Sequence, residues 1–440
     1  MLINLNKLLW GIASIFIIYS GIYYSFHLKF IQFRFKTIFK SFFTIKNKAK
    51  GISPYQSLAM SLAAKIGVGS LAGVALAIYK GGVGSLFWLW MTAFISAPSS
   101  FSEAVLGVIY HKKDNDVYQG GPSHYIEKGL NKKRLAKLYA FLVISSYIFG
   151  FLTIQSNTIT KSILEVKSMN PLIIGFMISF LTLIIIFKGI KTIASVTSKL
   201  VPIMAIIYLL FSLIIIIKNI NQIPNLLYNI IYDAFNIKAF GWGIISSIII
   251  GIQRGIFSNE AGLGTGAIAA ATSNTKSPTK QGLIQMLGTY FTTLIVCSAT
   301  AFIILTSNYT NLIHSDVNGI EITQNAMRYH FGTIGEQVLV ITIILFAFST
   351  IIAGYYYGEA NLKFIIKKQK KIYIILLKTI TALLLLVSSI MSSSLLWQLV
   401  DIIVAILAIV NIYALILLKD IVVEEWHFYK YKKYDKIKLK

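Results

Sequence analysis

Eleven long apolar stretches constrain this chain more than any other feature. They lie at roughly 8–28, 54–79, 84–110, 137–157, 171–187, 194–217, 241–272, 282–306, 333–362, 372–391 and 396–418. About 20 consecutive apolar residues in helical form cross a bilayer's hydrocarbon core. Backbone amides and carbonyls find no water there, so such stretches are confined to helices or closed barrels, and runs this long and continuously apolar specify helices. The chain is therefore read as an all-α polytopic membrane protein. Charged residues make up 13% of it, against about a quarter in a soluble domain. They are bunched between the apolar runs, which excludes a soluble protein with an unusually apolar core. The first stretch, from Trp10 to Leu28, ends on Tyr24, Phe26 and His27, where a cleaved signal peptide carries small residues. It is read as a retained helix.

Charge placement sets an expected orientation. With the N-terminus outside, the inner segments 29–53, 111–137, 188–199, 272–282, 363–371 and 419–440 hold 31 of the 41 Lys and Arg residues. The outer segments hold seven: Lys7, Lys80, Lys161, Lys167, Lys218, Lys238 and Arg328. Lys65, Arg254 and Lys378 fall within spans. Short inner loops carry the excess of Lys and Arg, so the chain is expected to run N-out, C-in through the cytoplasmic (inner) membrane. The net charge of +25 is then a matter of topology and of attraction to anionic lipids of the inner leaflet. It does not call for nucleic acid, and no nucleic-acid module is present. The tail lysines Lys430, Lys432, Lys433, Lys436, Lys438 and Lys440 read as a solvated basic end. The single Cys297 excludes an intramolecular disulfide.

Two spans carry unusual backbone. Ala63-Ala64-Lys65-Ile66-Gly67-Val68-Gly69-Ser70 interrupts the second, and Phe257-Ser258-Asn259-Glu260-Ala261-Gly262-Leu263-Gly264 interrupts the seventh. Glycine weakens a helix. Unwound backbone at membrane depth is tolerated only when it is buried in protein or lines a cavity. A break exposes amides on one half-helix and carbonyls on the other, ligands for a carboxylate and for cations. One Gly-x-Gly is equally a device for close helix packing. Two clusters five spans apart lie on helices of opposite direction, as in an inverted repeat. The expected organisation is an extra helix 8–28, a first five-helix repeat 54–217, a second 241–418 and a basic cytoplasmic tail 419–440, all within one transporter domain over 1–440.

The residues resemble the alanine or glycine:cation symporter family over about 52–418. The most specific piece is Arg254-Gly255-Ile256-Phe257-Ser258-Asn259-Glu260-Ala261-Gly262-Leu263-Gly264, followed by Gln281-Gly282-Leu283 and Val296-Cys297. Gly81-Gly82-x-Gly84 with Phe87-Trp88-x-Trp90, Gly120-Gly121-Pro122 with Tyr125-Ile126-Glu127-Lys128-Gly129-Leu130, Lys199-Leu200-Val201-Pro202, and Phe346-Ala347-Phe348-Ser349-Thr350 complete an ordered set. The resemblance implies a leucine-transporter-type fold of five plus five helices with one N-terminal extra. It also implies uptake of alanine, glycine or a close relative driven by Na⁺, with no cofactor.

A zwitterionic substrate needs a place for each of its charges. The amides of Gly69, Ser70 and Leu71, beyond Gly67, begin the outer half of span 2 and suit a carboxylate. Carbonyls near Phe257 and Ser258 suit the ammonium, and the Phe257 ring is expected to wall a small side-chain pocket. Gln155 matches a polar family position facing the substrate, unless it serves an interhelical hydrogen bond. Ser349 and Thr350, with carbonyls near Ala63 and Ile66, resemble a sodium site common in this fold. Oxygen ligands suit a hard cation, although Ser and Thr are also simply tolerated in membrane helices. The family's usual Gly-Thr-Gly-Asn reads Gly67-Val68-Gly69-Ser70 here. A usual acidic residue of span 8 is Thr292, and Lys65 stands where a small or hydroxyl residue is expected. These departures set H⁺ beside Na⁺ as the coupling ion. Lys65 is expected either to stand in for a cation or to pair with Glu103, Glu260 or Glu359. Glu260 is expected to cap the inner half of span 7. Arg254 is expected to form a gating or a fixed ion pair, and Asp401 to cap or line span 11.

Two other function classes fit the sequence less well. A channel is built from symmetric subunits around a filter or charged rings, which two antiparallel broken helices in one chain do not resemble. An enzyme needs a nucleophile or metal constellation, and His27, His111, His124, His314, His330 and His427 are scattered at membrane edges or in loops with no metal-ligand spacing. The chain is therefore read as a transporter and not an enzyme.

Overall fold

The computed structural model describes residues 2–44, 51–114, 116–236, 243–309, 319–366 and 371–438. Lys46, Lys48, Lys50, Lys238, His314, Lys367, Lys368, Lys370, Lys440 and the first two residues of the expected seventh span lie outside them. The side chains of Lys432, Lys433, Lys436 and Lys438 do too.

Each expected span is a helix or an interrupted pair. In order they are Leu2–His27, Pro54–Lys65 with Ala72–Gly81, Ser85–Ile109, Lys133–Val166, Pro171–Phe187, Ile190–Lys218, Gly243–Asn259 with Thr265–Ala271, Pro278–Leu305, Gly319–Ile365, Lys371–Ser388 and Ser393–Leu417. Local sequence explains several starts. Ser53, Asn170 and Ser277 accept a backbone amide of the first turn, and proline follows each one. That is the helix-entry pattern, since proline's missing N–H is an orphan there anyway. Span 9 turns at Gly332, whose φ is 63°, so its membrane part begins at the expected residue 333. Spans 4 and 8 each contain a π-helical stretch, at Ser145–Phe151 and Phe291–Val296.

Span 2 packs on span 7, span 3 on 8, span 4 on 9 and span 5 on 10. Equivalent helices of two inverted five-helix repeats meet in this way. Phe176, Phe180, Ile203, Ile206 and Leu383 on spans 5, 6 and 10 are exposed and face lipid. Span 1 lies against spans 3 and 11. The Trp10 indole N–H donates to the Asp401 carbonyl at 2.9 Å, the Tyr24 hydroxyl to the Leu415 carbonyl at 2.6 Å, and the Ser20 and Ser99 hydroxyls lie 2.9 Å apart.

The basic side carries structure of its own. The amphipathic helix Phe35–Phe43 exposes Phe35, Phe39 and Phe43 on one face and buries Ile38 and Ser41, the pattern of a helix lying in a membrane interface. A two-stranded hairpin pairs Lys112–Asp114 with Val117–Gln119. The tail, expected as a solvated end, is a helix, Lys419–Lys438. Its Trp426 is buried edge-on against Phe101, with the Lys430 ammonium 4.9 Å above the indole.

Candidate functional site

Span 2 unwinds between Lys65 and Ala72. Ile66 and Gly67 leave the helical region, Val68–Ser70 makes one 3₁₀ turn, and a helix resumes at Ala72. The Val68 amide donates to Gln155 Oε1 at 3.0 Å. The Ser70 and Leu71 amides donate to the Gly67 and Val68 carbonyls at 3.1 Å each. Two of the three amides expected to receive a carboxylate are thus engaged within the turn, and Gln155 supports the break rather than standing apart from it. Glycine is required at 69: a β-carbon there would lie 2.9 Å from Phe257 Cδ1.

The Phe257 ring stacks on Phe151 at 4.7 Å and meets Trp397 at 4.8 Å. Beneath this layer the Ser258 hydroxyl lies 2.9 Å from the Ser70 hydroxyl and 3.0 Å from Cys297 Sγ. Beyond the layer, on the side of the span 1 N-terminus, Arg254 Nη2 and Asp401 Oδ2 pair at 2.5 Å, both nearly fully buried. The guanidinium sits 5.0 Å over the Trp397 ring and 5.8 Å over Phe257. Gly67, Gly69, Ser70, Leu71, Gln155, Phe257 and Ser258 therefore converge on one buried centre, closed on one side by an aromatic layer and an ion pair.

The hydroxyl pair of span 9 is split. Thr350 Oγ1 donates to the Ala63 carbonyl at 2.7 Å and lies within 3.0 Å of Phe346 O, so Thr350 and Ala63 are brought together beside Ile66. The Ser349 hydroxyl bonds the Phe346 carbonyl at 2.8 Å and faces Met204 of span 6.

Lys65 is buried, with Nζ 3.5 Å from Thr289 Oγ1. Among the described residues no carboxylate oxygen lies within ion-pair distance of it. Glu103 and Glu260 act on it electrostatically from farther away, and Glu359 pairs with Lys363 at 2.6 Å instead. The expected direct pairing is replaced by a charge held between two distant carboxylates.

The break of span 7 corrects a second expectation. Glu260 does not cap the inner half-helix: its carboxylate accepts from the Tyr147 and Thr265 hydroxyls at 2.7 and 2.8 Å. Glu103 of span 3 takes the capping place, accepting the Gly264 amide at 2.9 Å and Asn411 Nδ2 at 2.7 Å. Glu260, Gly262 and Gly264 all have positive φ, so the chain at 260–264 turns left-handed three times. Local geometry keeps Glu260 from aiming down the helix axis. A β-carbon at Gly264 would lie 2.4 Å from Pro122 Cγ and 2.6 Å from the Tyr139 hydroxyl. Tyr139 donates to the Leu263 carbonyl at 2.6 Å, and Asn411 Nδ2 also reaches the Gly262 carbonyl at 2.9 Å. Glu103, Tyr139, Tyr147 and Asn411 thus form a collar around the break. Of these, the sequence points to Glu103 alone, as a partner for Lys65. A carboxylate and an amide inside apolar runs are signals of buried polar partners.

The chain resembles known proteins along its whole length. Residues 1–440 match the family model described as the sodium:alanine symporter family. The Sodium/alanine symporter AgcS of Methanococcus maripaludis is 34% identical over 437 residues, covering 96% of this chain and 95% of that protein. The Probable sodium/glutamine symporter GlnT of Bacillus subtilis is 37% identical over 424 residues, covering 95% and 87%. The Amino-acid carrier protein AlsT of the same organism is 36% identical over 426 residues, covering 96% and 90%. Among solved structures, MhsT in complex with L-phenylalanine superposes with a TM-score of 0.62 at 11% identity, over 83% of this chain and 89% of that one. That likeness shows the leucine-transporter-type fold of five plus five inverted helices.

Proposed function

Because the chain belongs to the sodium:alanine symporter family, a family of multi-pass membrane transporters and not enzymes, we propose that it imports a small neutral amino acid, alanine or glycine, together with Na⁺. The observation that carries this reading is the convergence of two broken helices on one buried centre. The span 2 break brings Gly67, Gly69, Ser70 and Leu71, and the span 7 break brings Phe257 and Ser258. Helix ends of this kind supply amides to a carboxylate and carbonyls to an ammonium or a cation. Two amides of the span 2 turn are internally bonded in this closed arrangement. The substrate carboxylate engages them when the turn relaxes. Phe257 lies so close that a β-carbon at Gly69 would meet its ring at 2.9 Å, and this crowding supports a small substrate, alanine or glycine, over glutamine, the substrate in one relative's name.

Na⁺ is assigned to the Ala63 and Ile66 carbonyls with the Thr350 hydroxyl, completed by Ser349 on rotation of its side chain away from Met204. Arg254 and Asp401 form the outer gate, with Phe257 and Trp397 as the layer beneath it. Lys65 adds a fixed ammonium close to the ion site, and this supports coupling to fewer Na⁺, with H⁺ as the second reading. Glu260 acts as an anchor of the span 7 break. The repeats are assigned to 54–217 and 241–418, with 8–28 as an extra helix and 419–440 on the inner side. The charge asymmetry supports an N-out, C-in orientation in the cytoplasmic membrane, with the basic face against anionic lipid.

Uptake of labelled alanine into proteoliposomes under separately imposed Na⁺ and H⁺ gradients tests the proposal. Saturable uptake driven by the Na⁺ gradient is expected. Uptake driven by the H⁺ gradient alone overturns the Na⁺ assignment, and non-saturable flux overturns alternating access.

A further inference from the structure

The inner half of span 2 presents Ser57, Ser61 and Lys65 at four-residue intervals, one face of a helix. Span 8 runs alongside in the same direction and presents Gln281, Gln285 and Thr289 at the same interval. The two rows meet as rungs. Gln281 Nε2 donates to Ser57 Oγ at 3.0 Å, and Lys65 Nζ to Thr289 Oγ1 at 3.5 Å. Equal spacing puts Ser61 and Gln285 at the level between.

That middle level is where hydrogen bonds run out. Both amide atoms of Gln285, Gln281 Oε1 and, beyond Lys65, the Thr292 hydroxyl are buried without a hydrogen bond among the described residues, and the Ser61 hydroxyl faces the Tyr357 hydroxyl of span 9. Leaving a buried polar group unmade costs about 1–3 kcal/mol, and protein interiors satisfy such groups with ordered water where several of them converge. A row of polar side chains at membrane depth faces water or protein, not lipid. The row starts at Ser57, one turn inside the helix cap at Ser53, and ends at the Lys65 ammonium, whose one hydrogen bond among the described residues is the 3.5 Å contact to Thr289. The charged groups facing that ammonium are Glu103 from span 3 and Glu260 from span 7. Thr289 faces it from span 8, and Gly266 of the inner half-helix of span 7 lies close by.

We propose that a file of water along Ser57, Ser61, Gln281 and Gln285 joins the Lys65–Thr289 rung to the inner solution while the outer gate is shut. The inference rests on the proposed orientation, not on the identity of the substrate.

The test uses the full-length protein in vesicles, with Thr289→Cys as reporter and Ile284→Cys, buried on another face of the same helix, as reference. A small cationic methanethiosulfonate is added from the inner face, and modification is read by peptide mass, which separates these sites from native Cys297. Cys at 289 is expected to react while Cys at 284 is protected. Adding Ser61→Ala with Gln285→Leu, which dries the stripe, is expected to abolish the reaction at 289. Equal protection of both sites overturns the proposal. So does reaction at 289 that survives the dry stripe, since access through a wide inward opening would not depend on it. Alanine uptake in the same vesicles reads the proposed transport separately.

Discussion

Asp401→Asn removes the charge that faces Arg254 without changing the size of the side chain. The pair is 2.5 Å long with both partners nearly fully buried, so solvent screens it little. Removing one partner of a buried pair costs about 3–5 kcal/mol, because the other charge is left uncompensated. The Trp397 and Phe257 rings remain over the guanidinium, which favours the lower end of that range. If the pair forms only when the outer side is closed, the whole loss falls on the closed state. About 3 kcal/mol then corresponds to roughly two powers of ten in the open population. The chain supplies its own reporter: Cys297, its single cysteine, lies 3.0 Å from Ser258 beneath the aromatic layer. Its modification by an impermeant thiol reagent added outside is expected to be about a hundredfold faster in Asp401→Asn than in the wild type, in proportion to the open fraction. Unchanged protection of Cys297 together with a lowered melting temperature would refute this reasoning. Arg254 and Asp401 would then be a fixed structural pair.

Three further outcomes follow from the geometry. Gly69→Leu should abolish alanine binding in a protein that still inserts, measured by equilibrium binding in detergent, because any β-carbon there drives against Phe257; normal affinity would remove the span 2 turn from the site. Ser349→Ala combined with Thr350→Ala should eliminate Na⁺ stimulation of uptake, and full stimulation in that variant would place the ion elsewhere. The triple change Lys65→Thr, Ser70→Asn and Thr292→Asp should steepen the Na⁺ dependence of uptake and reduce its response to pH, whereas identical curves at two pH values would make Lys65 a structural charge.

The spans were legible because hydrocarbon imposes one length and one backbone solution on every crossing. The breaks were legible because two glycine clusters interrupt otherwise continuous helices. Residue pairing was not. Arg254 and Asp401 were both visible as intramembrane charges, but they are 147 positions apart and nothing local joins them. The Glu260 expectation failed for a backbone reason: proximity in sequence suggested a cap, while three left-handed residues turned its carboxylate toward Tyr147 and let Glu103 approach from span 3. The π-helical stretches in spans 4 and 8 insert a residue into the turn, so a helical wheel drawn through Tyr147 or Thr292 is out of phase beyond it. The tail misled because lysines suggested solvent, while Trp426, one aromatic in a charged segment, set the docking. The strands at Lys112–Asp114 and Val117–Gln119 are three residues each and show no alternation of apolar and polar side chains, so nothing in the sequence marks the hairpin.

Span 1 belongs to neither repeat, yet it works as a brace. Trp10 and Tyr24 are fourteen residues apart, and so are the carbonyls they hold, at Asp401 and Leu415. At 1.5 Å per residue the two rungs are about 21 Å apart, and two rungs at matched spacing resist both sliding and tilting. Ser20 against Ser99 fastens the same brace to span 3, so one helix from each repeat is bolted to a common frame. In the gate proposed above, the Asp401 carboxylate is then a doorpost, and Arg254 on the broken span 7 is the latch that would swing. Spin-label distances between spans 1 and 11 should hold constant through the transport cycle while those between spans 7 and 11 change. In the proposed gate, a door of this kind turns on one hinge, so that a single ion pair would commit the whole face it closes.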